Sequence, residues 1–221
     1  MSKPDSQRRL NLQDQLIIGL DRIVRSLHSG STSAQRHSPA EHCDPDQQGE
    51  LQAAEKRHVS GLMRVNHTGE VCAQALYQGQ ALTARDPQIR QSMQESADEE
   101  QDHLAWCEQR LDELDSRPSR LNPLFYGLSF AVGAFAGAAG DKWSLGFVAA
   151  TEDQVCDHLR DHLAQLPPQD QASRAIIEQM LIDEEQHGAK ALAHGGVEFA
   201  PPVKKLMTAM SRVMTRTVYH V

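Results

Sequence analysis

Asp98-Glu99-Glu100-Gln101-Asp102-His103 and, later in the chain, Asp183-Glu184-Glu185-Gln186-His187 are the two stretches whose reading decides the fold. In each, an acid and a histidine stand three residues apart, a spacing that stacks them one turn apart on a single helix face. That face is otherwise apolar. Around the first motif it runs Ile89, Met93, Ser96, Glu100, His103, Cys107 and Leu111; around the second, Ile177, Met180, Glu184, His187 and Ala191. Upstream of each lies a further periodic segment with an acid at mid-stripe: Val59, Met63, Asn66, Glu70, Ala73 and Tyr77, then Leu145, Val148, Glu152, Val155, Leu159 and Leu163. The periodicity predicts four long helices, at about 51–84, 87–114, 142–166 and 169–194. Arg85-Asp86-Pro87 and Pro167-Pro168 break each pair into a helical hairpin.

Turn distances give an independent check, because antiparallel helices place residues equally far from a turn at one height. Glu70 lies 16 residues before Asp86, and Glu100 and His103 lie 14 and 17 after it; Glu152 lies 16 before Pro168, and Glu184 and His187 lie 16 and 19 after it. All six side chains therefore fall in one layer. Four ionised carboxylates in a dry interior would cost several kcal/mol each unless countercharge is present. Two divalent cations balance four glutamates, and neutral imidazoles complete the coordination. One Glu from each of two helices plus Glu-x-x-His from each of the other two is the ligand set of ferritin-like di-iron and di-manganese bundles. The expected fold is thus all-α, a ferritin-like four-helix bundle of two hairpins with extra amphipathic or interfacial helices. Oxygen-rich sites with one imidazole per ion suit iron or manganese better than zinc, and iron is the expected metal. A single Glu-x-x-His on a helix is common by chance; the weight rests on two such motifs, two further inward acids and matched turn distances together. Glu99 and Asp183, each four residues before a histidine, are either acceptors for the imidazoles or solvated helix charges.

Composition restricts the rest. The 221 residues carry a formal net charge of -8 and 39% hydrophobic content, room for one compact domain with appended sequence and no basic face for nucleic acid. Cys43, Cys72, Cys107 and Cys156 form no Cys-x-x-Cys pair, which argues against a thiolate zinc site or a disulfide scaffold and for a reducing compartment. The N-terminal residues lack the pattern of a secretory signal, and no window is apolar enough to span a bilayer. The chain divides into an amphipathic helix within 1–27, built on Leu12, Leu16, Ile17, Leu20, Ile23, Val24 and Leu27; a flexible linker at 28–50, poor in apolar residues; and the bundle at 51–221. Inside the bundle, 121–140 holds no charge and four glycines, and reads either as an interfacial or channel-lining segment or as a buried connecting helix. From Val203 to Val221, Lys204, Lys205, Arg212 and Arg216 alternate with Leu206, Met207, Met210, Val213, Met214, Val218 and Tyr219. This basic amphipathic helix suits anionic headgroups or, as an ordinary terminal helix, the bundle surface.

Asn66-His67-Thr68-Gly69-Glu70, the two Glu-x-x-His motifs and Thr151-Glu152-Asp153 resemble the demethoxyubiquinone hydroxylases of ubiquinone biosynthesis, over about residues 51–221. The resemblance implies an O2-dependent di-iron monooxygenase that hydroxylates the ring of a polyprenyl methoxy-methyl-benzoquinol. It also implies two Fe2+ ions per chain held by Glu70, Glu100, His103, Glu152, Glu184 and His187, the residues through which catalysis would run. Dioxygen and an external reductant are the co-substrates, since no Gly-x-Gly-x-x-Gly dinucleotide fingerprint occurs. The expected partners are the lipid-tailed quinol and a membrane surface, with a homo-oligomer and accessory ubiquinone-biosynthesis proteins left open. The expected place is peripheral, on the cytoplasmic face of the cell membrane. His158, six residues after Glu152, either assists proton or electron transfer or is a core or surface histidine. Two other functions fit parts of the pattern: a ferritin- or rubrerythrin-like iron oxidation or storage protein, and a non-enzymatic membrane-binding helical protein. Prenyl length and the physiological reductant have no signature in the residues.

Overall fold

A computed structural model describes residues 34–43 and 49–221. The expected N-terminal amphipathic helix lies outside the described residues. Six α-helices follow in chain order: α1 (Ala53–Thr83), α2 (Pro87–Glu113), α3 (Asn122–Ala139), α4 (Asp141–Gln165), α5 (Gln171–Ala193) and α6 (Pro201–Val218). No strand occurs among the described residues. The helices start and stop where side chains supply the missing hydrogen bonds. Gln52 and Glu55 form a reciprocal capping box at the start of α1. Asp86 accepts from the Gln88 amide (2.8 Å) ahead of Pro87, and Asp170 accepts from the Ser173 amide (3.0 Å) at the head of α5. The fourth bundle helix accordingly begins two residues later than the periodicity alone suggests.

Helices α1 with α2, and α4 with α5, are the two hairpins, and their apolar stripes meet in two separate cores. One gathers Val59, Leu62, Met63, Trp106, Cys107, Leu111, Leu159, Ile176, Ile177 and Met180; the other, Ala73, Tyr77, Ala81, Met93, Ala97, Leu145, Val148 and Ala191. The acid and histidine layer lies between them in all four helices, so apolar packing closes it from both ends. The hairpins are tied at their tips. Asp141, the first residue of α4, accepts from the Arg85 and Asp86 amides in the α1–α2 turn, each at 3.0 Å. At the opposite end, buried Arg110 on α2 pairs with fully buried Asp170 (3.0 Å) and donates to Ser173 (2.9 Å).

The segment 121–140 is not a buried connecting helix, since one of its faces is open. It is a helix, α3, laid on the outside of α1 with one face packed and the other open. Leu124, Leu128 and Phe135 are exposed. The packed face is made of small residues because the backbones nearly touch: a methyl group on Gly133 would collide with the Leu76 carbonyl, and one on Gly79 with the Phe130 carbonyl. Glycine allows this approach as in small-residue helix pairs. Tyr126 anchors the contact with Val71, Ala75 and Leu104. Helix α6 runs back over the bundle, with Tyr219 against Gly61 and its hydroxyl 2.6 Å from His58 Nδ1. Its outer face leaves Val203, Leu206, Met210 and Val213 exposed. No described helix is long and apolar enough to cross a membrane.

Residues 34–43, which composition placed within the linker, are instead docked across α2 and α5. Their anchor is charge rather than apolar burial, which is why low hydrophobicity misled the reading: Arg36 bridges Asp102 and Asp183, and Trp106 Nε1 donates to the Arg36 carbonyl at 3.3 Å.

Candidate metal centre

Each Glu-x-x-His motif presents its two side chains inward from one turn of helix, and the two motifs face each other across the bundle axis. Glu70, Glu100, His103, Glu152, Glu184 and His187 are all buried. His103 Nδ1 lies 3.1 Å from Glu100 Oε2, 3.1 Å from Glu184 Oε1 and 3.6 Å from Glu70 Oε2. His187 Nδ1 lies 3.1 Å from Glu184 Oε2 and 3.3 Å from Glu100 Oε1. Glu100 and Glu184 thus each reach both imidazoles, while Glu70 sits on the His103 side only. Ligand atoms of Glu70, Glu100, His103 and Glu184 all fall within 4.8 Å of one another, a buried group that could hold a metal ion. Glu152 stands apart from these four, its Oε1 accepting from Tyr77 OH at 2.6 Å.

The outer imidazole nitrogens are held by the two acids that the sequence left with alternative readings. His103 Nε2 is 2.9 Å from Asp183 Oδ2, and His187 Nε2 is 2.5 Å from Glu99 Oε2. Both acids hold an imidazole, Asp183 nearly buried and Glu99 with its side chain 43% exposed, and the partnership is crossed: each serves the histidine of the opposite helix, not the one four residues on in its own. A histidine whose Nδ1 points into the shared layer directs its Nε2 across to the neighbouring helix, where its own helix has no side chain. Asp183 is fixed in turn by Gln179 Nε2 (2.9 Å) and Arg36 Nη1 (2.8 Å).

Burial and mutual repulsion set the electrostatics. Burial raises the Glu70 carboxyl well above the usual range, with Glu100 adding to the effect; Glu152 is raised by burial and by Glu184. Burial would raise Glu100 too, but hydrogen bonds from His103 and His187 outweigh it and hold the group below the carboxylate range. Burial opposes the charged form of His187, yet Glu100 and Glu184 overcome it and push its pKa up to about 12. Protons therefore supply the countercharge in this arrangement, and a cation that displaces them satisfies the same carboxylates. The oxygens agree with this: Glu152 Oε2 is buried without a hydrogen-bond donor, and Glu184 Oε1 and Glu100 Oε1 face an imidazole Nδ1 at 3.1 and 3.3 Å. Buried carboxylate oxygens around an imidazole are hard donors suited to iron or manganese, so the residues fit the cations that the ligand pattern implies.

A profile of the family "Ubiquinone biosynthesis protein COQ7" matches residues 57–218. The chain belongs to that family. A protein of Azotobacter vinelandii named 3-demethoxyubiquinol 3-hydroxylase is 59% identical over 216 residues, covering 98% of this chain and 99% of the relative. Proteins of the same name from Pseudomonas paraeruginosa (59% identical, 94% of this chain and 95% of the relative) and Ectopseudomonas mendocina (58%, 98% and 99%) match almost as fully. The family's ferritin-like helical bundle is the fold described above.

Three residues around the centre escaped the reading of the sequence. Tyr77 lay on the α1 stripe, where an aromatic reads as core, and its hydroxyl was the unused signal: a buried tyrosine OH needs an acceptor. Asp102 stood inside the first motif with no role of its own, and Arg36 lay in a segment without periodicity. His158 sits away from the acid layer; its ring meets His162 edge-on at 5.0 Å, and His162 Nδ1–H donates to Asn66 Oδ1 at 2.7 Å.

Proposed function

We propose that this chain is a 3-demethoxyubiquinol 3-hydroxylase in which Glu70, Glu100, His103, Glu152, Glu184 and His187 hold two ferrous ions. The observation that carries the reading is the buried layer of four glutamates and two histidines closed between two apolar cores, in a chain of this family. When bound, the irons supply the activation of dioxygen that organic side chains cannot. The protein supplies the rest. Glu100 and Glu184 span both halves of the centre, and Glu70 and Glu152 serve one half each. Asp183 and Glu99 orient the imidazoles through Nε2, which leaves Nδ1 toward the metals. The two cores keep bulk water from the layer. In the overall reaction one oxygen atom enters a ring C–H bond of the quinol as hydroxyl. The other leaves as water, taking up two electrons and two protons from an external reductant.

The polyprenyl tail places the enzyme at a lipid surface. Leu124, Leu128 and Phe135 on α3 and Val203, Leu206, Met210 and Val213 on α6 offer apolar side chains to a bilayer. Lys205, Arg212 and Arg216 beside the α6 stripe suit anionic headgroups. Peripheral attachment at the cytoplasmic face of the cell membrane follows from this reading.

The test is anaerobic reduction of the iron-loaded protein, then isotope-labelled dioxygen and a demethoxyubiquinol analogue, with the product identified by mass. One labelled oxygen in the ring is expected. Iron mineralised in a multisubunit cage with no ring product would replace this reading with iron storage.

A further inference from the structure

The ligand layer is nearly two-fold symmetric. Glu100 and His103 on α2 correspond to Glu184 and His187 on α5, and Glu99 to Asp183. The surroundings of the two halves are not symmetric. On the His103 side, Asp183 accepts from Arg36 Nη1 (2.8 Å) as well as facing His103 Nε2, and Arg36 Nε holds buried Asp102 at 2.7 Å. The guanidinium lies 4.8 Å from the centre of the Trp106 ring, which itself packs against the His103 ring at 5.4 Å. Gln35 donates its backbone amide to Asp102 at 2.6 Å, so the segment carrying Arg36 is pinned at two consecutive residues. On the His187 side, the corresponding acid Glu99 is 43% exposed at its side chain, and no arginine or lysine pairs with it among the described residues. The inner shells differ in the same sense. Glu70 is gathered with His103, Glu100 and Glu184, whereas Glu152 is turned to Tyr77.

We propose that Arg36 is a positioning residue: by locking Asp183 and covering His103, the docked segment makes the His103 half of the centre retain its metal ion more tightly than the His187 half. The two ions then load and leave in order, with the His103 ion first in and last out. An imidazole whose outer nitrogen is bound to a doubly anchored acid keeps its ligand atom in place. One bound to a water-exposed carboxylate on a helix surface re-orients more freely, and loss of such an outer partner costs roughly 10- to 100-fold in metal affinity. The contribution comes from outside the four-helix bundle, through a segment that precedes the family-matched residues 57–218. The inference rests on the two-iron reading above.

Full-length protein loaded anaerobically with ferrous iron is first assayed for iron per chain, then mixed with excess ferrous chelator and followed by absorbance. Two ions leaving in two phases of equal amplitude are expected. Arg36→Ala accelerates the slow phase by roughly 10- to 100-fold and leaves the fast phase unchanged, with Arg36→Lys in between, because an ammonium cannot fork to Asp102 and Asp183 together. Glu99→Gln accelerates the fast phase alone, an outcome that general loosening of the fold would not produce. A single release phase in the unmodified protein, or a slow phase indifferent to Arg36→Ala, overturns the inference while leaving the two-iron reading intact. Fewer than two irons per chain at the outset overturns that reading instead.

Discussion

Arg110 and Asp170 show what a single buried contact contributes here. Both are nearly inaccessible, Asp170 caps α5 through the Ser173 amide, and its second oxygen already lacks a hydrogen bond. Removing the guanidinium would strand a buried carboxylate, a situation that costs about 3–5 kcal/mol. Arg110→Ala should therefore lower the unfolding free energy obtained by chemical denaturation by an amount in that range. Arg160→Ala, which removes an exposed, solvent-screened pair with Glu185, should leave it essentially unchanged. Nothing in the local sequence around either arginine distinguishes the two. What separates them is the turn at Pro167-Pro168, which delivers Asp170 to the end of α2, and a turn's path depends on where its helices dock.

Among the elements, α3 makes the sharpest demand on its residues. Adding a methyl to an exposed helical glycine commonly stabilises by about 1 kcal/mol, and Gly127 has nothing within 4 Å of the added atom. At Gly133 the same methyl meets the Leu76 backbone, which cannot rotate aside as a side chain could, and overpacking of this kind costs about 1–3 kcal/mol. Gly127→Ala should raise the thermal midpoint and Gly133→Ala should lower it; a rise in both would mean that α3 does not sit on α1. For α6, Leu206→Glu with Val213→Glu should release the protein from vesicles containing anionic lipid in a flotation assay, with iron content unchanged, because both side chains point away from the bundle. Binding equal to that of the unmodified protein would remove α6 as the attachment surface. The amphipathic pattern of α6 was legible because its period is local. Which face of α3 would be open was not, since both faces are apolar or small and only docking on α1 distinguishes them.

At the scale of the whole molecule, two buried histidines with lowered pKa, His67 and His162, link stability to pH. Burial holds His67 down to about 4, and burial with repulsion from His158 and His58 holds His162 down to about 3, against an ordinary value near 6.5. Below about pH 6.5 the unfolded chain takes up protons at these positions and the folded one does not, so protonation favours unfolding. Their contribution is fully present above that pH and is lost as pH falls toward 4 and then 3, at about 1.4 kcal/mol per unit of separation. Between about pH 7.5 and about pH 5 these two groups lower stability on acidification while the raised Glu70, Glu152 and His187 increase it, so His67→Gln with His162→Gln should leave the protein losing less, or gaining more, stability toward the acid end than the unmodified protein does. An unaltered slope would place the acid sensitivity elsewhere. The helices, the two hairpins and the common level of the six Glu and His side chains were determined by the sequence itself, because helical periodicity and proline breaks are local and a turn relates heights by counting. The crossed pairing of Asp183 with His103 and Glu99 with His187, the turn of Glu152 to Tyr77 and the docking of Arg36 were decided only by the tertiary structure. Each depends on which side chain a neighbouring helix or segment brings within about 3 Å, and no spacing along one chain encodes that distance.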